Sequence, residues 1–152
     1  MIIRDIKISD YKGIDKLMQQ VHSLHVENRP DLYVDIEYPY TLGEFAEIVE
    51  NKDIISVLAE EDNEIVGLCI VTIKNKSGMV EKKIAYMDDL CVDERFRGQG
   101  IGKKLFNFVS NKAKGKGAKR LDLMVWSFNK KALSFYEELG MTPQRYILEK
   151  EL

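Results

Sequence analysis

Between Arg95 and Lys104 the sequence reads RFRGQGIGKK, in which Gly98, Gly100 and Gly102 alternate with larger residues and are flanked by Arg95, Arg97, Lys103 and Lys104. An apolar-periodic run, LFNFVSNKAKG, follows, so the glycines stand where a helix begins. A helix N-terminus has unpaired backbone N–H groups and the positive end of the dipole, and bare glycine backbone lets phosphate oxygens approach both. A phosphate-bearing ligand is the chemistry this stretch suits. The spacing is G-x-G-x-G, not the G-x-G-x-x-G of dinucleotide folds, and Lys103 is followed by Lys104 where a nucleoside triphosphate loop needs Ser or Thr.

Just upstream, YMDDLCV places two carboxylates, Asp88 and Asp89, inside a strand-like run. Regular alternation would turn them to opposite faces. Downstream, Asn129 precedes a helical pattern carrying Phe135 and Tyr136. His22 and His25 share a face of the first helix, next to the irregular segment HVENRPDLYVDIEYPY with its prolines and tyrosines, Tyr33 among them. An irregular stretch of that length suits a pocket wall.

The elements that must position these groups read as follows. IIRDIKI alternates as a strand, and Ser9 or Asp10 can cap a helix with an apolar face through Ile14, Leu17, Met18, Val21 and Leu24 or His25. TLGE, from Thr41, is a capping box for a second helix. IISVLAEE and EIVGLCIVTI flank the turn residues Asp62 and Asn63 as a hairpin, and KIAYMDDLCV adds a third antiparallel strand. The glycine loop leads into a helix from about Gly100 to Lys114, RLDLMVW gives a strand, NKKALSFYEELG a helix ended by Gly140, and RYILEKEL a last strand. The order predicts one α/β domain, 1–152, with a mixed sheet and helices on both faces.

Composition narrows the setting. With 152 residues and 45% hydrophobic content, one core of ordinary size is expected. No apolar run approaches the about 18 residues of a membrane span, and the start has no signal-peptide pattern, so a cytoplasmic protein without a membrane partner is expected. Cys69 and Cys91 sit in apolar runs without ligand spacing, which predicts buried thiols and no metal. The net charge of −2 gives no reason to expect nucleic acid. Charge is uneven, however: eight acids lie between Glu27 and Asp53, and seven basic residues without an acid lie between Lys103 and Arg120. One end suits a cation, the other a polyanion.

R-x-x-G-x-G from Arg97 to Gly102, the preceding YMDDLCV, and N-x-x-A-x-x-F-Y-x-x-L-G from Asn129 to Gly140 together resemble the GNAT superfamily of N-acetyltransferases. The likeness runs from about Ile54 to Tyr146; within the superfamily MDDLCVDERFRGQGIG is most similar to polyamine and related small-amine acetyltransferases. This resemblance implies a mostly antiparallel sheet of six to seven strands, splayed at the cofactor site, and a homodimer. It implies acetyl-coenzyme A as donor, its pyrophosphate held by the backbone N–H groups of Gly98, Gln99, Gly100, Ile101, Gly102 and Lys103 with Arg97 also contacting the cofactor, and its pantetheine arm paired with Leu90, Cys91 and Val92 and flanked by Asn129 and Ala132. Glu94 stands where the family often has proline, which predicts a less rigid turn.

The implied reaction is acetyl transfer to a primary amine of a small molecule in a ternary complex. An alkylamine with pKa about 10 must lose a proton before attack, and the resemblance puts Asp88 at the substrate-facing carboxylate position. It gives Tyr136 the role of protonating the departing thiolate. His25, Tyr33 and Asp88 are the candidate substrate contacts. A protein or peptide acceptor and a non-catalytic acyl-coenzyme A sensor are the alternatives; the sequence does not name the amine.

Overall fold

The computed structural model describes residues 1–152. Five strands form one sheet in the order β1 (Ile2–Asp5), β2 (Ile54–Glu61), β3 (Glu64–Asn75), β4 (Lys83–Val92) and β5 (Arg120–Leu123). The first four are antiparallel neighbours and β5 runs parallel to β4. The β2–β3 hairpin turns on Asp62 and Asn63, both at positive φ (49° and 62°), the backbone a two-residue hairpin requires.

Helix α1 (Tyr11–Asn28) and α2 (Leu42–Glu50) cover one face of the sheet. There Ile14, Leu17, Met18 and Phe45 pack on Leu58, Leu68, Ile70 and Cys91. Helix α3 (Ile101–Gly115) covers the other, where Ile101, Leu105 and Val109 meet Val57, Cys69, Val71 and Met87. Helix α4 (Lys130–Glu138) adds Tyr136 to that side. The capping box at Thr41 and Glu44 forms as its sequence dictates. Asp10 precedes α1 but its carboxylate takes a fork from Arg4 and the Lys7 N–H instead of capping.

Two expectations fail. The sheet has five strands, not six to seven, and RYILEKEL is not a strand: no regular element follows α4. The RLDLMVW run is paired only over Arg120–Leu123. In each case the missing ladder lacks a neighbour within the chain, and alternating apolar sequence alone does not make a strand.

Residues 29 to 41, between α1 and α2, run back along α1 as a strap. His22 Nε2 donates to Val34 O at 2.7 Å, Gln19 Nε2 to Glu37 O at 3.1 Å, and Tyr11 Oη to Tyr40 O at 2.7 Å. Each tie satisfies a carbonyl that regular structure does not.

Candidate active site

The site begins where two strands part. Pairing between β4 and β5 extends from Ile84 opposite Arg120 to Met87 opposite Leu123 and stops. Leu90, Cys91 and Val92 continue with β3 on one side only, opposite Cys69, Leu68 and Gly67. Their other backbone edge opens on the gap, as expected of a strand that pairs with an extended ligand. The Cys91 side chain turns away toward α1, with Sγ 3.6 Å from Leu17 O, and burial pushes its thiol up to about 12. Only its backbone is offered to the gap. Burial likewise raises the Cys69 thiol, so neither cysteine is a ready nucleophile.

The glycine loop closes one end of this gap. Gly98 and Gly100 both have φ +78°, a left-handed conformation that a β-carbon disfavours, and nothing lies within 4 Å of where one would be. Gly100 is the N-cap of α3, so the loop wraps open space at the positive end of a 15-residue helix. A Cβ on Gly102 would lie 3.2 Å from Phe135 Cζ, which seats this end of α3 against α4. The Ile101 side chain is in the core and Gln99 is exposed, leaving their backbone as the usable groups. Lys103 and Lys104 are exposed and make no ion pair. These features fit a pyrophosphate.

The arginines divide. Arg97 is exposed and its Nε donates to Val92 O at 3.0 Å, across the mouth of the gap. Arg95 instead serves the fold: its guanidinium grips buried Asp93 at 3.0 and 2.9 Å, meets Glu64, and lies over Phe96. Asp93 also accepts from the Arg95 N–H and caps the short turn Glu94–Phe96. The turn lacks proline but is clamped by these bonds, contrary to the expectation of a looser one.

Asp88 and Asp89 are arranged differently from strand alternation. Ile70 faces Asp89 and Val71 faces Met87, so Asp88 is the extra residue of a bulge. The bulge puts both carboxylates on the α1/α2 side. Thr72 Oγ1, two residues from Ile70 on the same face, donates to Asp88 Oδ2 at 2.6 Å, and Tyr40 Oη donates to Asp89 Oδ2 at 2.6 Å. Asp88 is exposed, whereas burial pushes the Asp89 carboxyl up. The expectation that at most one could point at the reaction is overturned.

Tyr136 approaches the same point of β4 from the opposite face, its hydroxyl 3.9 Å from Met87 Sδ. Burial, with Cys69 and Asp89 nearby, raises its pKa above the ordinary tyrosine value, so it stays a proton donor at neutral pH. Asn129 caps α4, its Oδ1 accepting from Ala132 N at 3.1 Å. Asn129 and Ala132 thus sit together at the first turn of α4.

An aromatic cluster bridges α1, the strap and the loop after β5. His25 stacks on Tyr33 (4.9 Å), Tyr33 meets Trp126 edge-on (5.9 Å), and Trp126 stacks on Phe128 (6.1 Å). Burial lowers the His25 pKa, keeping the ring neutral. Arg29 lies over Trp126 at 5.1 Å while bonding Asp31. His25 and Tyr33 are thus in direct contact. Trp126, Phe128 and Tyr40 were not foreseen; the only tryptophan, three residues beyond the end of β5, was the available signal.

Residues 18–141 match the model of the acetyltransferase (GNAT) family. The chain belongs to that family. A point mutant of the BH1408 protein from Bacillus halodurans superposes with TM-score 0.95 at 30% identity, covering 100% of this chain and 99% of that one. The glucosamine 6-phosphate N-acetyltransferase of Arabidopsis thaliana is 28% identical over 149 residues, 97% of this chain and 94% of that protein. The thialysine N-epsilon-acetyltransferase of Bos taurus is 42% identical over 55 residues, 36% of this chain and 32% of that protein. The match thus spans about a third of that relative's length.

In this GNAT protein the unpaired edge of β4 leads into the glycine loop and then the N-terminus of α3, which packs on the α3/α4 side of the sheet. The bulged carboxylates, the strap and the aromatic cluster lie toward the other side. Tyr136 and the bulged Asp88 reach the same stretch of β4 from opposite faces.

Proposed function

We propose that this protein transfers the acetyl group of acetyl-coenzyme A to a primary amine of a small molecule, by direct attack in a ternary complex, in the cytoplasm and as a homodimer. One observation carries the reading: at the point where β4 and β5 part, Tyr136 reaches the strand from one face and the bulged Asp88 opens from the other. A donor bound on the α3 side and an amine on the α1 side would meet there.

The donor supplies an activated thioester; this chain supplies position and protons. Backbone from Gly98 to Lys103 and the α3 dipole hold the pyrophosphate, and the free edge of Leu90–Val92 aligns the arm. Thr72 fixes one oxygen of Asp88, and the other receives the proton that the attacking amine must lose. The Tyr136 hydroxyl gives its proton to the sulfur as the carbon–sulfur bond breaks. Holding both reactants in line supplies much of the acceleration.

The strap and its aromatic cluster favour an enclosed small-molecule pocket over an open peptide groove. Relatives named for acetylating thialysine, ornithine and glucosamine 6-phosphate support the same acceptor class. An aminoglycoside acetyltransferase of the same fold (TM-score 0.77, 17% identity) was solved with CoA, which supports the donor.

The test is colorimetric thiol release from acetyl-coenzyme A across polyamines, basic amino acids, amino sugars and short peptides. Turnover with one small amine, weakened in Tyr136→Phe and Asp88→Asn, is expected. Coenzyme binding without turnover on the whole panel would turn the reading toward an acyl-coenzyme A sensor.

A further inference from the structure

Arg29 is the only lysine or arginine between Lys16 and Lys52, a stretch that holds the rest of α1, the strap and α2. Past Lys16, those elements offer an incoming acceptor one cation among many acids. Its place is fixed: the side chain is 19% exposed, Nε and Nη2 fork onto Asp31 at 2.9 and 2.8 Å, and the guanidinium lies over Trp126. Helix α1, which Arg29 ends, packs on β3 and β4, whereas Trp126 follows β5. The two side chains therefore meet across the line along which β4 and β5 part.

A second carboxylate already reaches this guanidinium from far along the chain. Glu149 Oε2 accepts from Nη2 at 2.8 Å across 120 residues of sequence. Little else holds that segment: no regular element follows α4, no residue after Met141 takes part in a backbone hydrogen bond, and the Glu149 side chain is 64% exposed. An ion pair so exposed is weak and exchanges readily. Asp31 uses the Nε–Nη2 side of the guanidinium with two bonds, so the Nη1–Nη2 end is the remaining fork. Glu149 fills half of that fork with one bond, and Nη1 has no hydrogen-bond partner in the chain.

We propose that Arg29 selects the acceptor, its Nη1–Nη2 fork binding the carboxylate of an amino acid whose amine is acetylated, and that Glu149 occupies this fork until the acceptor displaces it. A planar guanidinium suits a carboxylate with two parallel bonds, and stacking on Trp126 fixes the direction from which one approaches. One cation already faces two carboxylates there, so a third binds by replacement, and the singly bonded Glu149 is the one that leaves. The surrounding acids attract the amine and repel the carboxylate, which leaves the choice between an amino acid and its decarboxylated amine to Arg29. The inference rests on the proposed acetyl transfer and names its acceptor class.

Steady-state thiol release compares ornithine with putrescine and lysine with cadaverine, pairs that differ only in the carboxylate, in wild type, Arg29→Met, Arg29→Lys and Glu149→Ala. Wild type is expected to prefer the amino acid of at least one pair. Arg29→Met should raise its KM roughly tenfold or more and leave that of the diamine in place. Arg29→Lys, which keeps the charge without the fork, should fall between, and Glu149→Ala should lower the amino-acid KM a few-fold. A wild-type preference for diamines, or equal KM changes for both members of a pair in Arg29→Met, overturns carboxylate recognition. An unchanged KM in Glu149→Ala removes the displacement. If circular dichroism shows Arg29→Met unfolded, Glu149→Ala and the wild-type preference decide, because the Glu149 side chain is exposed. Calorimetric titration of ornithine into the coenzyme A complex reads the site without turnover. Binding that is lost in Arg29→Met, with no thiol release from any amine, keeps the carboxylate site and sinks the acetyl-transfer reading; no binding to wild type sinks the site.

Discussion

The Tyr40 hydroxyl donates a 2.6 Å hydrogen bond to Asp89 Oδ2, tying the end of the strap to the strand on which Asp88 bulges. Tyr40 is held in turn by Tyr11, which donates to its carbonyl at 2.7 Å. Tyr40→Phe keeps the ring and removes the bond, stranding a partly buried carboxylate at a stability cost of about 2 kcal/mol. The strap then loses its anchor beside the bulge. A several-fold rise in KM for the amine, with KM for the coenzyme unchanged, is expected in steady-state kinetics. Equal effects on both constants would show that Tyr40 serves the fold alone.

Asp89 and Asp93 impose opposite pH dependences on stability. Burial raises Asp89 above its ordinary value, so its contribution is full below the ordinary carboxylate range and declines as pH rises through the raised value. The Arg95 side chain holds Asp93 down at about 2, so its contribution is present above the ordinary value of about 3.9 and is lost as pH falls toward 2. Urea unfolding as a function of pH separates them. Asp93→Asn is expected to weaken the acid-side loss, whereas Asp89→Asn gains stability relative to wild type as pH rises toward neutrality. Parallel curves for all three proteins would contradict both assignments.

Tyr136→Phe is expected to lower kcat by roughly a hundredfold to ten-thousandfold, the range of one positioned proton donor, with coenzyme affinity unchanged. The packing of its ring with Phe106 and Phe135 is retained in phenylalanine, so the melting temperature should hold. Because the hydroxyl pKa lies above the ordinary tyrosine value, the wild-type rate should show no alkaline loss from this group before about pH 10. A kcat indifferent to the substitution would leave the sulfur's proton to solvent.

What was legible in the sequence was local. The capping box at Thr41, the Asp62–Asn63 turn and the glycine loop are each specified by residues within a few positions of one another, and all three form. The family motifs pointed to Tyr136 and Asp88, which the fold brings to one stretch of β4, and to Leu90–Val92, whose outer edge is unpaired. The bulge escaped because it depends on β3 slipping by one residue between Ile70 and Val71, which no pattern within YMDDLCV records. Tyr40, Trp126 and Phe128 escaped because they meet their partners across long stretches of chain. RYILEKEL has the composition of a strand, yet a strand also needs a neighbour, and the single chain supplies none.

The glycine loop allows a test in which the fold provides its own control. Gly98 and Gly100 sit at φ +78° beside open space, so alanine there meets no atom but forces a left-handed backbone, at about 1 kcal/mol or more per site. The loop escapes that strain by turning toward ordinary φ, which redirects the N–H groups at the start of α3 away from the anion. Gly115, at the other end of α3, also has open space around it but no left-handed φ. Calorimetric titration with coenzyme A should therefore show Gly100→Ala weakened roughly tenfold or more, a loss of about 1.4 kcal/mol, with Gly115→Ala matching wild type. Dephosphorylated pantetheine should bind Gly100→Ala and wild type alike, because it lacks the pyrophosphate that the loop is read to hold. Equal weakening for both ligands would mean that the substitution disturbs the β4 edge, and the assignment of the loop to phosphate would fall.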